Sequence, residues 1–255
     1  MLRLAVCLLL ALGAACAAPP PPGELSALLR PHDVVHRPAG EGPFPAVVVL
    51  HGCGGRKDWH GGRWGRWLAA RGYLALEVDS LTPRGLESRT VCQGLALWGS
   101  SRAADVWVSL ADLRRHPDVD PQRLALLGFS HGGWAALDSL TLAQPGQLDG
   151  LGAVAVLYPY CGAAASHRAG WSVPLPVLML LAGADREVSR PACEEVARSQ
   201  IKRGQPLELH VYAGAGHAFD AEAEARLTED AQNRVQRFLS RTIKGRQQNE
   251  KRGRR

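Results

Sequence analysis

The sequence predicts an α/β fold, in which a mostly parallel β-sheet carries helices on both faces. Between residues 45 and 239, apolar runs typical of buried strands alternate with amphipathic stretches typical of helices, which is the pattern of α/β folds. A serine flanked by glycines, in the segment GFSHG at residues 128–132, joins one such strand to the next helix. Neither a repeat nor a linker divides this body, so we expect one domain over residues 38–240.

Six short apolar runs are predicted to be strands, because each ends at a loop rich in glycine, proline or aspartate. The first, PAVVVL, is apolar at consecutive positions, as in a strand that is buried on both faces. The predicted strands are residues 45–50, 73–78, 124–127, 152–158, 177–181 and 207–212.

Five segments show the spacing of apolar residues that is typical of helices. They are residues 64–71, 101–115, 134–142, 190–203 and 221–239. In a sheet built this way, active sites lie beyond the carboxyl ends of the strands. Reactive side chains are therefore expected in the loops that follow the strands.

The charge of the 255-residue chain is concentrated at its C-terminus. The chain is 46% hydrophobic, which excludes a mostly disordered protein, and its net charge is +6. Residues 241–255 contain seven basic side chains and one acid, a composition typical of a disordered tail. Residues 18–240 carry a net charge of −1, so we expect no basic face and no nucleic-acid partner.

The N-terminus has the pattern of a secretory signal peptide at residues 1–17. Arg3 precedes an apolar run over residues 4–12, and Ala15 and Ala17 offer a small-x-small cleavage site. The run is too short to favour a membrane span. Lipidation of Cys16 is a weaker alternative, because Gly13 stands where lipoproteins usually have leucine. We expect an exported protein, periplasmic or secreted, with a Pro-rich lead-in at residues 18–37.

Four cysteines lie outside the proposed signal peptide: Cys53, Cys92, Cys161 and Cys193. In an oxidising compartment, an even number of cysteines permits two disulfides, and four cysteines allow three pairings. The sequence contains neither CxxC nor HExxH, so no metal site is expected.

Ser130 is the candidate nucleophile. A serine on a sharp turn between a strand and a helix is exposed above the sheet edge, and flanking glycines allow the backbone segments to pack closely. A serine hydroxyl needs an imidazole to take its proton, and the imidazole needs a carboxylate to fix its tautomer.

His217 is the candidate base, and Asp185 is the candidate acid. His217 follows the last predicted strand in the loop GAGH, whereas His210 lies inside that strand and His167 follows an Ala-rich loop. Asp185 directly follows the strand at 177–181, and Glu187 is the alternative acid two residues later. The order serine, acid, histidine is that of hydrolases with this architecture.

The loop HGCGG at residues 51–55 is the candidate oxyanion loop. The backbone amides of Cys53 and His131 would together stabilise the oxyanion. A phosphate-binding loop is the alternative, but Lys57 occupies the last glycine position of G-x-G-x-x-G, and no G-K-[ST] follows. The Cys53 thiol is also a conceivable nucleophile, although its place on this loop favours a backbone role or a disulfide.

Six segments together resemble the dienelactone hydrolase family of the α/β-hydrolase superfamily. They are HGCGG, DSLTPRG, GFSHGG, YPYCG, GADREVSRPACE and GAGHAFD, and the match runs over residues 38–219. The resemblance implies an α/β-hydrolase fold and places the nucleophile, acid and histidine at Ser130, Asp185 and His217. The best-known members use a cysteine at the position of Ser130, so the resemblance does not extend to the dienelactone substrate.

The resemblance bears on two further features. Arg84, in the segment DSLTPRG, would either contact an anionic substrate or brace its own loop. The cysteine pairs implied are Cys53–Cys92 and Cys161–Cys193.

Together these features predict an exported serine hydrolase that cleaves a small ester or lactone without a cofactor. We expect no large cap domain and an open cleft. The same triad would also suit an amide or a short peptide, and a non-catalytic binding protein on a hydrolase scaffold is a further alternative.

Overall fold

The computed structural model describes residues 19–57, 61–221 and 225–244. The proposed signal peptide and residues 245–255 of the proposed tail lie outside these ranges. Residues 241–244 of that tail instead belong to a short helix, Ser240–Lys244, in which Ile243 is buried. None of the helices in the described ranges is long and apolar enough to cross a membrane.

A single sheet of seven strands, counted over the described residues, forms the centre of the fold. The strands are β1 (Val34–His36), β2 (Phe44–Leu50), β3 (Leu74–Val78), β4 (Val119–Phe129), β5 (Leu151–Leu157), β6 (Val177–Ala182) and β7 (Leu207–Tyr212). The strand order is β1-β3-β2-β4-β5-β6-β7. β1 runs antiparallel to β3, and the other neighbouring strands are parallel, which confirms the predicted mostly parallel sheet.

Helices cover both faces of the sheet, as predicted. Successive residues of β2 alternate between two apolar clusters, with Val48 and Leu50 in one and Val47 and Val49 in the other. Side chains of α1, α4, α5 and α6 complete the first cluster, and those of α2 and α7 the second. The helices are α1 (Pro22–Leu29), α2 (Arg63–Ala69), α3 (Ser88–Cys92), α4 (Gly99–Arg115), α5 (His131–Leu142), α6 (Arg190–Lys202) and α7 (Ala225–Leu239).

Two elements near the N-terminus were not predicted from the sequence. Leu25 and Leu29 of α1 are buried in the first cluster, and Ser26 of α1 donates a hydrogen bond to Asp112 of α4 at 2.7 Å. β1 has only three residues, and its Val35 is exposed. Such a short strand has no clear alternation of apolar and polar residues, which is why its sequence pattern is weak.

The topology brings the loops of the candidate residues to one edge of the sheet. Cys53 follows β2, Ser130 follows β4, Asp185 follows β6 and His217 follows β7. Because these strands are parallel, their carboxyl ends lie at the same edge.

Candidate active site

Ser130 lies on a sharp turn between β4 and α5. Its backbone has φ 50° and ψ −115°, a conformation that L-residues rarely adopt. Small residues make the turn possible, since a Cβ at Gly128 would lie 2.6 Å from the carbonyl oxygen of Gly132. A Cβ at Gly132 would lie 2.1 Å from the carbonyl oxygen of Leu50. Both glycines are therefore required by close backbone packing.

Ser130, His217 and Asp185 form one continuous chain of hydrogen bonds. His217 Nε2 lies 2.9 Å from Ser130 Oγ, and His217 Nδ1 lies 2.8 Å from Asp185 Oδ2. A carboxylate only accepts hydrogen bonds, so Nδ1 carries the hydrogen and Nε2 is left to accept the serine proton. The Asp185 side chain is 1% exposed, and its Oδ1 accepts the amides of Glu187 and Val188.

The alternative acid does not occupy the orienting position. Glu187 Oε2 lies 3.8 Å from His217 Nε2, on the side of the ring that faces Ser130, and its side chain is 71% exposed. The Glu187 carboxylate therefore lies near Nε2, whereas the Asp185 carboxylate lies near Nδ1 on the other side of the ring.

The two alternative histidines lie elsewhere. His210 stays on β7, where its ring packs against Tyr212. His167 is fully buried, and its Nδ1 lies 2.7 Å from Asp138 Oδ1. The structure brings neither of them to Ser130.

Sequence reasoning missed a buried group that packs against His217. The Tyr158 ring meets the His217 ring edge-on at 4.8 Å between centroids. The Tyr158 hydroxyl donates to Asp220 Oδ1, and Trp64 Nε1 donates to Asp220 Oδ2 at 2.7 Å. Burial and the neighbouring Asp220 raise the pKa of Tyr158 well above its usual range, so the hydroxyl remains a donor.

A second unpredicted group, centred on Arg102, supports the loop after β2. The buried Arg102 donates through Nη1 to the carbonyl oxygen of His51 at 2.7 Å and lies 3.0 Å from His131 Nδ1. Its Nε donates to Ser80 Oγ at 2.8 Å. The Ser80 amide donates to His51 Nε2 at 3.1 Å, so His51 Nδ1 donates to the Gly52 carbonyl.

Burial keeps the histidines of this group neutral. Burial, reinforced by the charge of Arg102, lowers the pKa of His131 to about 3. Burial likewise lowers the pKa of His51 well below its usual range. It also lowers the pKa of Arg102 to about 10, so at neutral pH the guanidinium still carries its charge and all its donors.

Cys53 and His131 line the same cleft as Ser130. His131 is the first residue of α5, where backbone amides have no partner within the helix. The loop that carries Cys53 passes close to the serine, since a Cβ at Gly52 would lie 3.5 Å from Ser130 Cβ. This places two main-chain segments beside the serine hydroxyl.

The structure contains disulfides between Cys53 and Cys92 and between Cys161 and Cys193, with Cα atoms 4.9 and 5.1 Å apart. The first joins the loop after β2 to α3 at the wall of the cleft, and Cys92 is exposed. The second is fully buried.

Arg84 is bound away from the cleft lining. Its Nη2 lies 2.6 Å from Asp105 Oδ1, and its Nη1 donates to the Ser80 carbonyl at 2.8 Å. Asp105 is fully buried, so this ion pair holds the guanidinium in place. The geometry favours the bracing role of Arg84 over contact with an anionic substrate.

The cleft above Ser130 has a volume of about 540 Å³. This size suits a small organic ligand. Three aromatic side chains, Trp98, Trp134 and Tyr160, contribute to its walls together with Val91 and Val188. Within the described ranges, no group of three His, Cys, Asp or Glu side chains is arranged to hold a metal ion.

Known structures with the same fold include a Klebsiella pneumoniae protein assigned as a dienelactone hydrolase. It has 21% sequence identity and a TM-score of 0.69, and the match covers 82% of this chain and 92% of that one. The esterase Est2 of Thermogutta terrifontis, with propionate bound, has 19% identity and a TM-score of 0.66, over 82% and 88% of the two chains.

Among curated proteins, the chain is similar to dipeptidyl aminopeptidase BIII of Pseudoxanthomonas mexicana. The two are 28% identical over 115 residues, which is 45% of this chain and 17% of that relative. A match to the dienelactone hydrolase family extends much further, over residues 32–244. The chain therefore belongs to the dienelactone hydrolase family.

Proposed function

We propose that this protein is an exported serine hydrolase that cleaves a small ester or lactone. The observation that carries the proposal is the hydrogen-bond chain from Ser130 through His217 to Asp185, which opens into a cleft lined by Cys53 and His131. In this proposal Ser130 is the nucleophile, His217 the base and Asp185 the group that orients it.

The proposed reaction begins with attack of Ser130 Oγ on the ester carbonyl carbon while His217 Nε2 takes the hydroxyl proton. The carbonyl oxygen becomes an oxyanion that accepts hydrogen bonds from the amides of Cys53 and His131. His217 then gives its proton to the leaving alcohol, and the acyl group remains on Ser130. Water, deprotonated by His217, attacks the acyl-enzyme and releases the acid, and the proton returns to Ser130.

The preference for small esters is supported by the size of the cleft and by the esterase Est2. Structures of Est2 have propionate and butyrate bound, and both are short-chain carboxylates. Hydrolysis of short peptides is a second candidate, because the dipeptidyl aminopeptidase relative matches part of this chain.

Export is supported by two independent features. The signal-like segment at residues 1–17 precedes the domain, and two disulfides are typical of oxidising compartments. We propose a periplasmic or secreted protein, with lipidation of Cys16 as the weaker alternative.

The proposal is tested with p-nitrophenyl acetate and the variant Ser130→Ala. We expect kcat/KM to fall at least ~1000-fold, because no other group replaces the nucleophile. Ser139→Ala is the matched control, since Ser139 is a buried serine on α5, the helix that follows Ser130, and donates to the Ala136 carbonyl. Equal rates for wild type and Ser130→Ala would refute the assignment, and a parallel alanine p-nitroanilide assay compares peptide-like substrates.

A further inference from the structure

We propose that Glu187 is a specificity-determining residue that favours esters with a cationic or neutral leaving group and disfavours anionic ones. The inference rests on the proposed function and names the substrate class of the same site. It follows from where the Glu187 carboxylate lies relative to the atom that delivers a proton to the leaving group.

The backbone of Glu187 is held beside the proposed triad, and its carboxylate lies near His217. Its carboxylate lies 3.8 Å from His217 Nε2, and the same nitrogen lies 2.9 Å from Ser130 Oγ. In acyl transfer this nitrogen protonates the departing oxygen, so the leaving group must lie within hydrogen-bond distance of it. The Glu187 amide donates to Asp185 Oδ1 at 2.9 Å, which holds the backbone of Glu187 against the acid of the triad.

Among the described residues that line the cleft, no Lys or Arg balances Glu187. It is the only Asp, Glu, Lys or Arg among the described residues that line the cleft. Arg84 is paired with the buried Asp105 instead of facing the cleft. An anionic substrate would therefore meet a carboxylate and no cation.

The aromatic walls of the cleft also suit a quaternary ammonium cation, which has no N–H to donate. Trp98, Trp134 and Tyr160 line the cleft, and aromatic rings attract quaternary ammonium groups. The Glu187 side chain is 71% exposed, so its attraction to a bound cation is modest and depends on ionic strength. The class of substrate indicated is a small ester of a neutral or ammonium-bearing alcohol.

The experiment compares acetylthiocholine with its uncharged isostere, 3,3-dimethylbutyl thioacetate. The ratio of their kcat/KM values removes effects common to both substrates. We expect Glu187→Gln to lower the cation-to-neutral ratio by about 2- to 5-fold, the range for an exposed charge pair. Added salt should reduce the ratio of the wild type toward that of the variant. Glu195→Gln is the matched control, because Glu195 is similarly exposed and lies on α6 beside Arg168.

An unchanged ratio in Glu187→Gln overturns the inference while leaving the esterase activity standing. An equal fall in kcat/KM for both substrates also overturns the inference, because Glu187 would then act only through His217. Hydrolysis of both thioesters no faster than that by Ser130→Ala would instead refute the proposed function, and this inference with it.

Discussion

The turn at Ser130 depends on contacts made by its own backbone. The Ser130 amide donates to the Leu157 carbonyl at 2.9 Å, and its carbonyl oxygen accepts the Trp134 amide at 3.0 Å. These bonds join the end of β4 to β5 and to the first turn of α5. They hold a φ of 50° that an isolated serine would rarely adopt, and this keeps the hydroxyl pointed at His217.

Asp185→Asn tests the orienting role of the acid. An amide in place of the carboxylate can donate to His217 Nδ1 and thereby favour the wrong tautomer. We expect kcat to fall by roughly 10⁴-fold, as for the corresponding change in other triads. Asp118→Asn, at a surface pair with Arg37, is the control. A kcat for Asp185→Asn near that of the wild type would exclude Asp185 as the acid.

Asp33 gives a pH-dependent prediction for stability. Burial raises the pKa of Asp33 to about 7, although its Oδ1 accepts the Asp79 amide at 3.1 Å. Between pH 4 and 7 the unfolded chain releases this proton and the folded chain retains it, so stability falls as pH rises through this range. Above pH 7 the full destabilisation is present, and below about pH 4 it is absent.

Asp33→Asn should therefore raise the Tm at pH 8 and leave it near the wild-type value at pH 4. The asparagine oxygen still accepts the Asp79 amide, so only the ionisable proton is removed. Thermal unfolding at the two pH values measures the difference. An equal rise in Tm at pH 4 and at pH 8 would mean that titration of Asp33 does not cause the change in stability.

At the scale of elements, the two disulfides differ in position and in exposure. The Cys53–Cys92 bond ties the loop after β2 to α3, and both cysteines line the cleft. The Cys161–Cys193 bond is fully buried beside α6. The first bond is therefore placed to affect catalysis and the second to affect stability.

Removal of each disulfide should give a different result. Cys53→Ser/Cys92→Ser should lower kcat roughly 10-fold or more, because small displacements of positioning groups cost up to about 100-fold. Cys161→Ser/Cys193→Ser should retain kcat but lose about 2–5 kcal/mol of unfolding free energy. Ester hydrolysis and urea denaturation of both variants measure the effects. An unchanged kcat in the first variant would show that the loop needs no covalent tether.

At the scale of the whole molecule, the described chain is one body in which the segment before β2 takes part. α1 packs on α4, and β1 adds an antiparallel edge to the parallel sheet. Leu25 and Leu29 are at most 1% exposed. Residues 22–36 thus contribute to the same core that supports the loops of the candidate triad.

Leu25→Ala tests this contribution. Loss of a fully buried leucine should lower the unfolding free energy by about 2–4 kcal/mol, through lost transfer energy and the cavity left behind. Leu28→Ala, on the exposed side of the same helix, should cost about 0.5 kcal/mol or less. Urea denaturation of both variants measures this. Equal losses would mean that α1 does not pack as described.

The candidate triad was predictable because each member lies in a loop that follows an apolar run, and apolar runs typical of strands are the clearest pattern in a sequence. Arg102 and Asp220 were not predictable as part of the site. Arg102 lies within a predicted helix and Asp220 within a loop, and neither position differs in its local sequence from an ordinary surface residue. Their importance comes from burial and from partners far away in the chain, which no local pattern contains. The short elements α1 and β1 were missed for a related reason, because their stability comes from tertiary packing.

The sequence by itself determined the mostly parallel α/β architecture, because strand periodicity is a local property of the chain. The resemblance of six motifs to a known family supplied the family and the order of Ser130, Asp185 and His217. Only the tertiary structure decided which carboxylate lies within hydrogen-bond distance of His217 Nδ1, where Arg84 points and how the four cysteines pair. These outcomes depend on distances between residues that are far apart in the chain. Such distances are set when the sheet and its helices pack around a common core.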